Sequence, residues 1–357
     1  FLTPATVLGK TLVVTHSKHD VLAFDRETGE PVWRFRVPAE VDLRTVDLAG
    51  ELLLIFGAKH TLALQASTGT VAWQTHEQGE LYSRPYLREN LLVGVRRQPF
   101  NVTFRQLGSG QLLERLHLPD LSSVSRDPIL QNLGVNFPSH ASLSVACQGD
   151  LLVLATANDY LAVDLGKREV RWRRPIDNND WFTGPIRFYL HEPYLLVLKH
   201  DFEAPALYLL DSRTGTVLWR KKNQAVVHSI RFDEQGKTFI GVSPIEPTKP
   251  ELAVIRFDSA SGNELSRWSS GPSKDTLDAT LIGTVSDGKV VLRVVSGETI
   301  ELAVLDLTAS SVTTRVSGRC VGVYGAHGGK AALVQGGHLI LMNPDQIQVL
   351  VAKEGQP

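Results

Sequence analysis

Apolar residues occur along this chain in short runs that are separated by polar turns. Examples are Thr11–Val14, Val21–Phe24, Leu52–Phe56 and Thr61–Leu64. Short apolar runs that are rich in branched side chains and bounded by turn residues are typical of β-strands. No segment sustains the spacing of apolar positions that an amphipathic helix requires. The pattern therefore predicts an all-β protein.

A polar phrase follows successive pairs of runs. In its full form it is an Asp, a Gly four residues later and a Trp eight residues later. It occurs complete, or with one substitution, as Asp25, Gly29 and Trp33; Gln65, Gly69 and Trp73; Asp164, Arg168 and Trp172; and Asp211, Gly215 and Trp219. Weaker copies begin at Gln106, Asp258, Asp306 and Asn343. Repetition at about 40 to 50 residues indicates stacked copies of one supersecondary unit.

The chemistry of the phrase favours a structural role. An Asp side chain accepts a hydrogen bond from a backbone N–H two residues on and so begins a turn. A Gly supplies the positive φ of a tight hairpin. A Trp on the following strand offers a large apolar face to a neighbouring unit. We therefore interpret these residues as structural and predict no catalytic residue among them.

Each unit holds about four strands, called A to D here, and the Asp-to-Gly turn joins C to D. One four-stranded sheet cannot cover both of its faces, whereas eight sheets arranged radially can, as in a β-propeller. We predict a single domain, 1–357, that is an eight-bladed propeller of four-stranded antiparallel blades, with a seven-bladed ring as the alternative because the last two copies are eroded. The approximate blades are 1–38, 39–77, 78–117, 141–175, 181–222, 226–270, 276–317 and 318–353, with an insertion at 117–140.

Charge and hydropathy exclude some classes of partner. The net charge of −1 gives no electrostatic reason to expect nucleic acid or an anionic membrane as a partner. No run of 18 apolar residues occurs, so no membrane span is expected, although a lipid anchor stays open. Because the chain begins at Phe1 and Met342 is its one Met, we expect either a removed leader or a longer parent protein.

Residues that carry redox or metal chemistry are few. Cys147 and Cys320 are the two cysteines, and their positions in the predicted fourth and eighth units are too far apart for a disulfide, so both are expected to be buried free thiols. His16 and His19 flank a turn, but no third ligand accompanies them. We therefore predict no metal site and no cofactor.

The stretch Ala23-Phe24-Asp25, with Thr28, Gly29 and Trp33 behind it, resembles the tryptophan-docking motif of quinoprotein (PQQ-type) propellers. One branch of that superfamily contains PQQ-dependent dehydrogenases. The alcohol enzymes of that branch carry adjacent cysteines, whereas the two cysteines here are solitary. The other branch is non-catalytic and is represented by the BamB-type scaffold of outer-membrane protein assembly. Residues 69–75, followed by Ser83-Arg84-Pro85, are similar in sequence to a blade of that family. This resemblance implies a non-enzymatic scaffold in a periplasmic or otherwise extracytoplasmic setting.

A partner-binding surface is expected at one end of the sheets. Strands alternate in direction, so the A–B and C–D turns lie at one end and the B–C and D–A connections at the other. The longer connections fall at the second end: 96–100, 117–140, 177–182, 200–205 and 243–250. Long loops on a rigid scaffold often carry binding residues. The candidate partner-binding residues are Arg96, Arg97, Phe100, Asp180, Trp181 and Phe202.

The sequence favours a scaffold that mediates protein–protein contact within a larger assembly. Two alternatives stay open: a quinoprotein-type dehydrogenase or another enzyme that binds a small molecule in the central channel, and a ligand-sensing domain of a larger protein.

Overall fold

The structure is a computed structural model, and it divides into two compact units. The first unit contains residues 1–122, 334–340 and 349–357, and the second contains 123–333 and 341–348. The residues that the structure describes are 6–16, 19–77, 79–81, 83, 85–97, 100–118, 145–155, 159–175, 186–199, 206–222, 229–233, 235–246, 249–270, 277–285, 289–296, 299–307, 311–319, 331–334, 338–343 and 346–351. Within these ranges the regular elements are strands, apart from one 3-10 turn at Ala39–Val41, so the all-β prediction is confirmed.

Three sheets of the first unit follow one another in the chain. The first sheet consists of β1 (Thr6–Leu8), β2 (Thr11–His16), β3 (Asp20–Asp25) and β4 (Pro31–Arg36). The second consists of β5 (Thr45–Ala49), β6 (Leu52–Phe56), β7 (His60–Gln65) and β8 (Val71–His76). The third consists of β10 (Tyr86–Arg88), β11 (Leu91–Arg97), β12 (Asn101–Gln106) and β13 (Leu112–His117), with the short β9 (Glu80–Leu81) paired to β11.

The second unit holds four more sheets of the same kind. The fourth sheet consists of β14 (Val145–Gln148), β15 (Leu151–Ala155), β16 (Asp159–Asp164) and β17 (Glu169–Pro175). The fifth consists of β18 (Ile186–His191), β19 (Tyr194–Lys199), β20 (Ala206–Asp211) and β21 (Val217–Lys222). The sixth consists of β22 (Ser229–Phe232), β23 (Thr238–Glu246), β24 (Lys249–Asp258) and β25 (Glu264–Ser269). The seventh consists of β26 (Leu277–Val285), β27 (Lys289–Ser296), β28 (Thr299–Asp306) and β29 (Ser311–Arg319).

A further sheet has three described strands. They are β30 (Ala331–Val334), β31 (His338–Asn343) and β32 (Gln346–Val351), in that order. In all of these sheets the four principal strands, or the three of this last one, lie side by side in chain order. Neighbours are antiparallel wherever their register is given, as between β2 and β3, where Thr11 pairs with Asp25 and His16 with Asp20.

One irregularity recurs at the same place in each of the seven larger sheets. The ladder between the third and fourth strands shifts register just before the turn, at Ala23/Phe24 in the first sheet and at Ala63/Leu64 in the second. The equivalent shift lies at Ala162/Val163 in the fourth sheet and at Leu209/Leu210 in the fifth. A β-bulge increases the local twist and re-aims the side chains that follow. In these four sheets the residue that follows the bulge on the fourth strand is the Trp of the repeated phrase.

The cores lie between the faces of successive sheets within each unit. In the first unit, Val13 and Val21 of the first sheet pack with Leu53 and Ile55 of the second. In the second unit, separate clusters join the fourth sheet to the fifth, the fifth to the sixth and the sixth to the seventh. The first strands of successive sheets also contact one another, as β14 does β18 and β18 does β22. Sheets that stack face to face along their first strands are consistent with a β-propeller.

Three sequence predictions about local structure need correction. Arg96 and Arg97 were expected in a loop, but they are the last residues of strand β11. The stretch 243–250 was expected to be a loop, but β23 continues to Glu246 and β24 begins at Lys249, because their ladder continues to the pair Glu246–Lys249. Cys147 on β14 is in no disulfide bond with a described residue, but it is half-buried rather than buried. Cys320, His16's side chain and most of the insertion at 117–140 lie outside the described residues.

Candidate partner-binding surface

The turn between the third and fourth strands is held by its own side chains. Asp25 Oδ1 accepts hydrogen bonds from the backbone N–H groups of Glu27, at 2.9 Å, and Thr28, at 2.8 Å. Asp211 accepts the equivalent pair from Arg213 and Thr214. The N–H groups of Thr28 and then of Glu27 hold the pKa of Asp25 below its ordinary value, because they stabilise the carboxylate.

The Trp of each phrase docks on the next sheet. Its indole Nε1–H donates to a backbone carbonyl in the following turn: Trp33 to Ala66 at 3.0 Å, Trp73 to Leu107 at 2.8 Å, Trp172 to Ser212 at 2.9 Å and Trp219 to Ser259 at 2.9 Å. Each indole is thereby fixed at both its apolar face and its polar edge. The repeated Trp and the repeated turn are thus the two halves of one seam, contributed by successive sheets.

The glycine of the turn is required for two separate reasons in these seams. Gly69 has φ +70° and Gly215 has φ +73°, which side chains with a Cβ rarely adopt. A Cβ on Gly69 would also lie 2.7 Å from Cδ2 of Trp33, and one on Gly215 would lie 2.8 Å from Cε3 of Trp172. Gly29 has φ +74° but open space around it. The φ requirement is visible in the sequence, whereas the contact with the indole of the preceding sheet is not.

Arg168 occupies the position of the missing glycine in the fourth sheet. Its φ of 58° is the left-handed conformation that glycine adopts in the other copies. Lys167 N–H still donates to Asp164 Oδ1 at 2.9 Å, so the turn keeps its hydrogen bond from the Asp. The repeated geometry therefore imposes the backbone conformation even on a residue that has a Cβ.

A cation two residues after the Trp completes two of the seams. Arg174 donates from Nη1 to Gly215 O at 3.1 Å, and Lys221 donates from Nζ to Gly262 O at 2.6 Å. Sequence reasoning missed this contact, although a basic residue at this spacing from the Trp is visible in both copies. This end of the sheets is therefore engaged in contacts between neighbouring sheets.

A buried charge cluster joins the second and third sheets. Glu77, directly after β8, has only 2% of its side chain exposed and contacts Arg96, Arg105 and Arg115. Arg105 donates to Glu77 Oε1 from Nε at 2.6 Å and to Gly110 O from Nη1 at 2.6 Å, and Arg115 Nη2 donates to Glu77 Oε2 at 3.2 Å. One carboxylate thus joins three guanidinium groups, and the cluster of these four residues has an excess of positive charge.

Arg96 lies inside this cluster rather than on an open loop. Its side chain is 4% exposed and its Nη1 donates to Gly79 O at 3.0 Å. Burial lowers the pKa of Arg96 to about 10, with Arg105 and Arg115 contributing in the same direction and Glu77 opposing. Its guanidinium is therefore enclosed by the protein, and contact of Arg96 with a partner stays a prediction.

The other predicted partner residues are placed as follows. Arg97 pairs with Glu80 across β11 and β9, and Phe100 is half-buried in the connection to β12, where its carbonyl accepts from Leu118 N–H at 3.2 Å. Asp180, Trp181 and Phe202 lie outside the described residues. The structure therefore brings Arg97 and Phe100 to the same end of the third sheet.

Two arginines that are accessible lie near this end of the second and third sheets. Arg44, just before β5, is 45% exposed and contacts Asp42 at 3.7 Å, and its Nη1 donates to Leu81 O at 3.4 Å. Arg115 of the charge cluster is 31% exposed. Arg44, Phe100 and Arg115 are called the candidate surface below. Among the described residues no group of three or more His, Cys, Asp or Glu side chains is arranged to hold a metal ion.

Known proteins match this chain in both sequence and structure. A family profile described as outer membrane protein assembly factor BamB matches residues 3–221, which is more than half of the 357 residues. The chain belongs to the BamB family. Its PQQ-like repeats are therefore shown by sequence as well as by structure. Among curated protein sequences there is no significant match to this BamB-family chain.

Solved structures similar to this BamB-family chain include a BamB protein and two dehydrogenases. BamB from Moraxella catarrhalis has a TM-score of 0.61 and 13% identity over 97% of this chain and 95% of that one. A europium-containing methanol dehydrogenase has a TM-score of 0.60 and 11% identity over 94% and 81%, respectively. Dihydro-heme d1 dehydrogenase NirN has a TM-score of 0.62 and 11% identity over 87% and 64%. At such identities the likeness shows the fold alone. No helix in the described part of this chain has the length and apolar character that crossing a membrane requires.

Proposed function

We propose that this chain is a non-enzymatic scaffold that holds a component of an outer-membrane protein assembly machinery in a periplasmic or otherwise extracytoplasmic compartment. The observation that carries the proposal is the match of the BamB family over residues 3–221, joined to a structural likeness that spans nearly the whole chain. We also propose that the sheets are eight blades of one propeller, with the boundaries expected from the sequence.

The proposed docking region is the candidate surface near the ends of the second and third sheets. At the opposite end the polar backbone groups of the turns are already engaged. Their carbonyls accept hydrogen bonds from the indoles and from the cations of the preceding sheet, and their N–H groups donate to the Asp side chains of the turns. Arg44 and Arg115, by contrast, keep part of their guanidinium groups accessible, and Phe100 adds an aromatic side chain. Arginine and aromatic residues are enriched at the energetic centres of protein interfaces. The excess positive charge around Glu77 favours an acidic patch on the partner.

Site-specific photocrosslinking in cells tests this assignment. A photoreactive amino acid is placed at Arg44 or at Phe100, and a matched one at Arg26, which is an exposed arginine in the C–D turn of the first sheet. We expect crosslinks to an outer-membrane assembly component from the first two positions and none from Arg26. Equal crosslinking from all three positions, or none from Arg44 and Phe100, would contradict the proposed surface.

A charge reversal measures the contribution of the surface to affinity. Arg44→Glu should weaken binding of the crosslinked partner by about 1 kcal/mol or more, since an accessible interfacial charge acts mainly on association. Arg26→Glu is the control and should leave the affinity unchanged. If both variants bind as the wild type does, Arg44 is not part of the interface.

The alternative function is that of a quinoprotein-type dehydrogenase, which is favoured by the likeness to a methanol dehydrogenase. It is tested by adding PQQ and calcium to the purified protein and measuring the reduction of an artificial electron acceptor with alcohols or sugars. Turnover that depends on PQQ would replace the scaffold function as the conclusion.

A further inference from the structure

Two histidines face each other at one end of the second sheet. His60 is the first residue of β7, and it pairs directly with His76, the last residue of β8. His76 Nδ1 lies 2.8 Å from His60 Nε2, and the ring centroids are 4.5 Å apart with the ring planes inclined at 51°. His76 is exposed and His60 is half-buried, so solvent reaches both rings.

Several described sheets have a pair of residues at this position, between the start of the third strand and the end of the fourth. Among them only the second sheet has histidine on both strands. The equivalent residues are Asp20 and Arg36 in the first sheet and Asn101 and His117 in the third. The repeat itself therefore does not require imidazole rings here. The backbone pairing of the two strand ends recurs in other sheets, whereas the two histidine side chains occur together in this sheet.

The separation of the two nitrogens suits a shared metal ion. Two nitrogens bound at about 2.0 Å in neighbouring positions of a square-planar ion are about 2.8 Å apart, and those of a tetrahedral ion are about 3.3 Å apart. The rings reach either arrangement by rotation about Cβ–Cγ, which is a soft torsion. Neutral imidazole is a preferred ligand of Cu²⁺, Ni²⁺ and Zn²⁺.

We propose that His60 Nε2 and His76 Nδ1 form a two-histidine site for a borderline divalent metal ion, with Cu²⁺ favoured by the separation of the nitrogens. In the metal-free pair one of these nitrogens donates its N–H to the other. When the ion binds, that proton moves to the remaining nitrogen of the same ring, so both histidines bind as neutral imidazoles. Two protein ligands leave the remaining coordination positions to water, so the ion exchanges freely and is held less tightly than in a structural site with four protein ligands. This site is independent of the partner-binding function proposed above.

Copper titration of the tag-free, full chain tests the site. Binding is followed by calorimetry in the presence of glycine as a competing chelator, and the ligands are identified by electron paramagnetic resonance. We expect one saturable Cu²⁺ per chain at this pair, with hyperfine coupling to two imidazole nitrogens. His60→Asn and His76→Asn should each lower the affinity by at least about tenfold, because either change removes one of two chelating ligands.

His117→Asn is the matched control. His117 is also exposed and also ends the fourth strand of its sheet, but it faces Asn101 instead of a histidine. This variant should bind copper as the wild type does. A second measurement needs no substitution: substoichiometric Cu²⁺ should broaden the imidazole NMR signals of His60 and His76 before those of other histidines. Failure to bind, binding that survives either single replacement at the pair, or broadening that begins elsewhere would overturn the site.

Discussion

Gly69→Ala should destabilise the protein more than Gly29→Ala, although both glycines occupy the same place in successive turns. Their φ angles are +70° and +74°. An alanine in this left-handed conformation costs about 1–2 kcal/mol at either position. At Gly69 the new Cβ also lies 2.7 Å from Cδ2 and 2.8 Å from Cε3 of Trp33, whereas at Gly29 no atom lies within 4 Å.

The indole of Trp33 cannot move away without loss. Its Nε1–H donates to Ala66 O at 3.0 Å, and the ring packs against the core between the first and second sheets. Forcing extra volume into such a seam costs about 1–3 kcal/mol, and a weakened hydrogen bond adds about 0.5–1.5 kcal/mol. The expected loss of unfolding free energy is therefore about 2.5–6.5 kcal/mol for Gly69→Ala, against about 1–2 kcal/mol for Gly29→Ala.

Urea unfolding followed by tryptophan fluorescence measures the difference, and a double-mutant cycle assigns its cause. In a Trp33→Ala background the collision is absent, so Gly69→Ala should then cost no more than Gly29→Ala. Equal losses for the two single glycine variants, or an excess at Gly69 that persists without Trp33, would show that docking of the indole does not determine the choice of glycine.

Three further outcomes are expected. Glu77→Gln should lower the unfolding free energy by about 3–5 kcal/mol, because it leaves buried guanidinium groups such as that of Arg96 without a counter-charge; a loss below about 1 kcal/mol in urea unfolding would contradict this. Lys221→Met should lower the free energy of unfolding by about 1 kcal/mol, because the hydrogen bond to Gly262 O is lost. Calorimetry measures this loss, and an unchanged melting temperature would refute that contribution. The lowered pKa of Asp25 means that its contribution to stability is present above its ordinary pKa of 3.8 and is lost as the pH falls through the lower folded-state value. Asp25→Asn should therefore reduce the loss of melting temperature that acidification below about pH 5 causes, and identical acid profiles would argue against it.

The sequence predicted the repeated unit well because the unit is local. Asp25 and Gly29 form their turn from neighbouring backbone groups, and the flanking apolar runs are long enough to define strands. The all-β fold follows from these local patterns. The candidate surface was harder to predict. From the sequence, Arg96 was predicted to lie in a loop because Pro99 follows closely. In the structure β9 pairs with the end of β11, and the Arg96 guanidinium contacts the buried Glu77.

By itself, then, the sequence determined most of the strands and the turn chemistry, since hydrophobic alternation and backbone conformation act over a few residues. Only the tertiary structure decided which distant groups meet. Trp33 reaches Ala66 and Gly69, 33 positions away from the first of these, and His60 faces His76 across a ladder. Such contacts depend on the stacking and register of whole sheets, which are set by the summed packing of many side chains and not by any single segment.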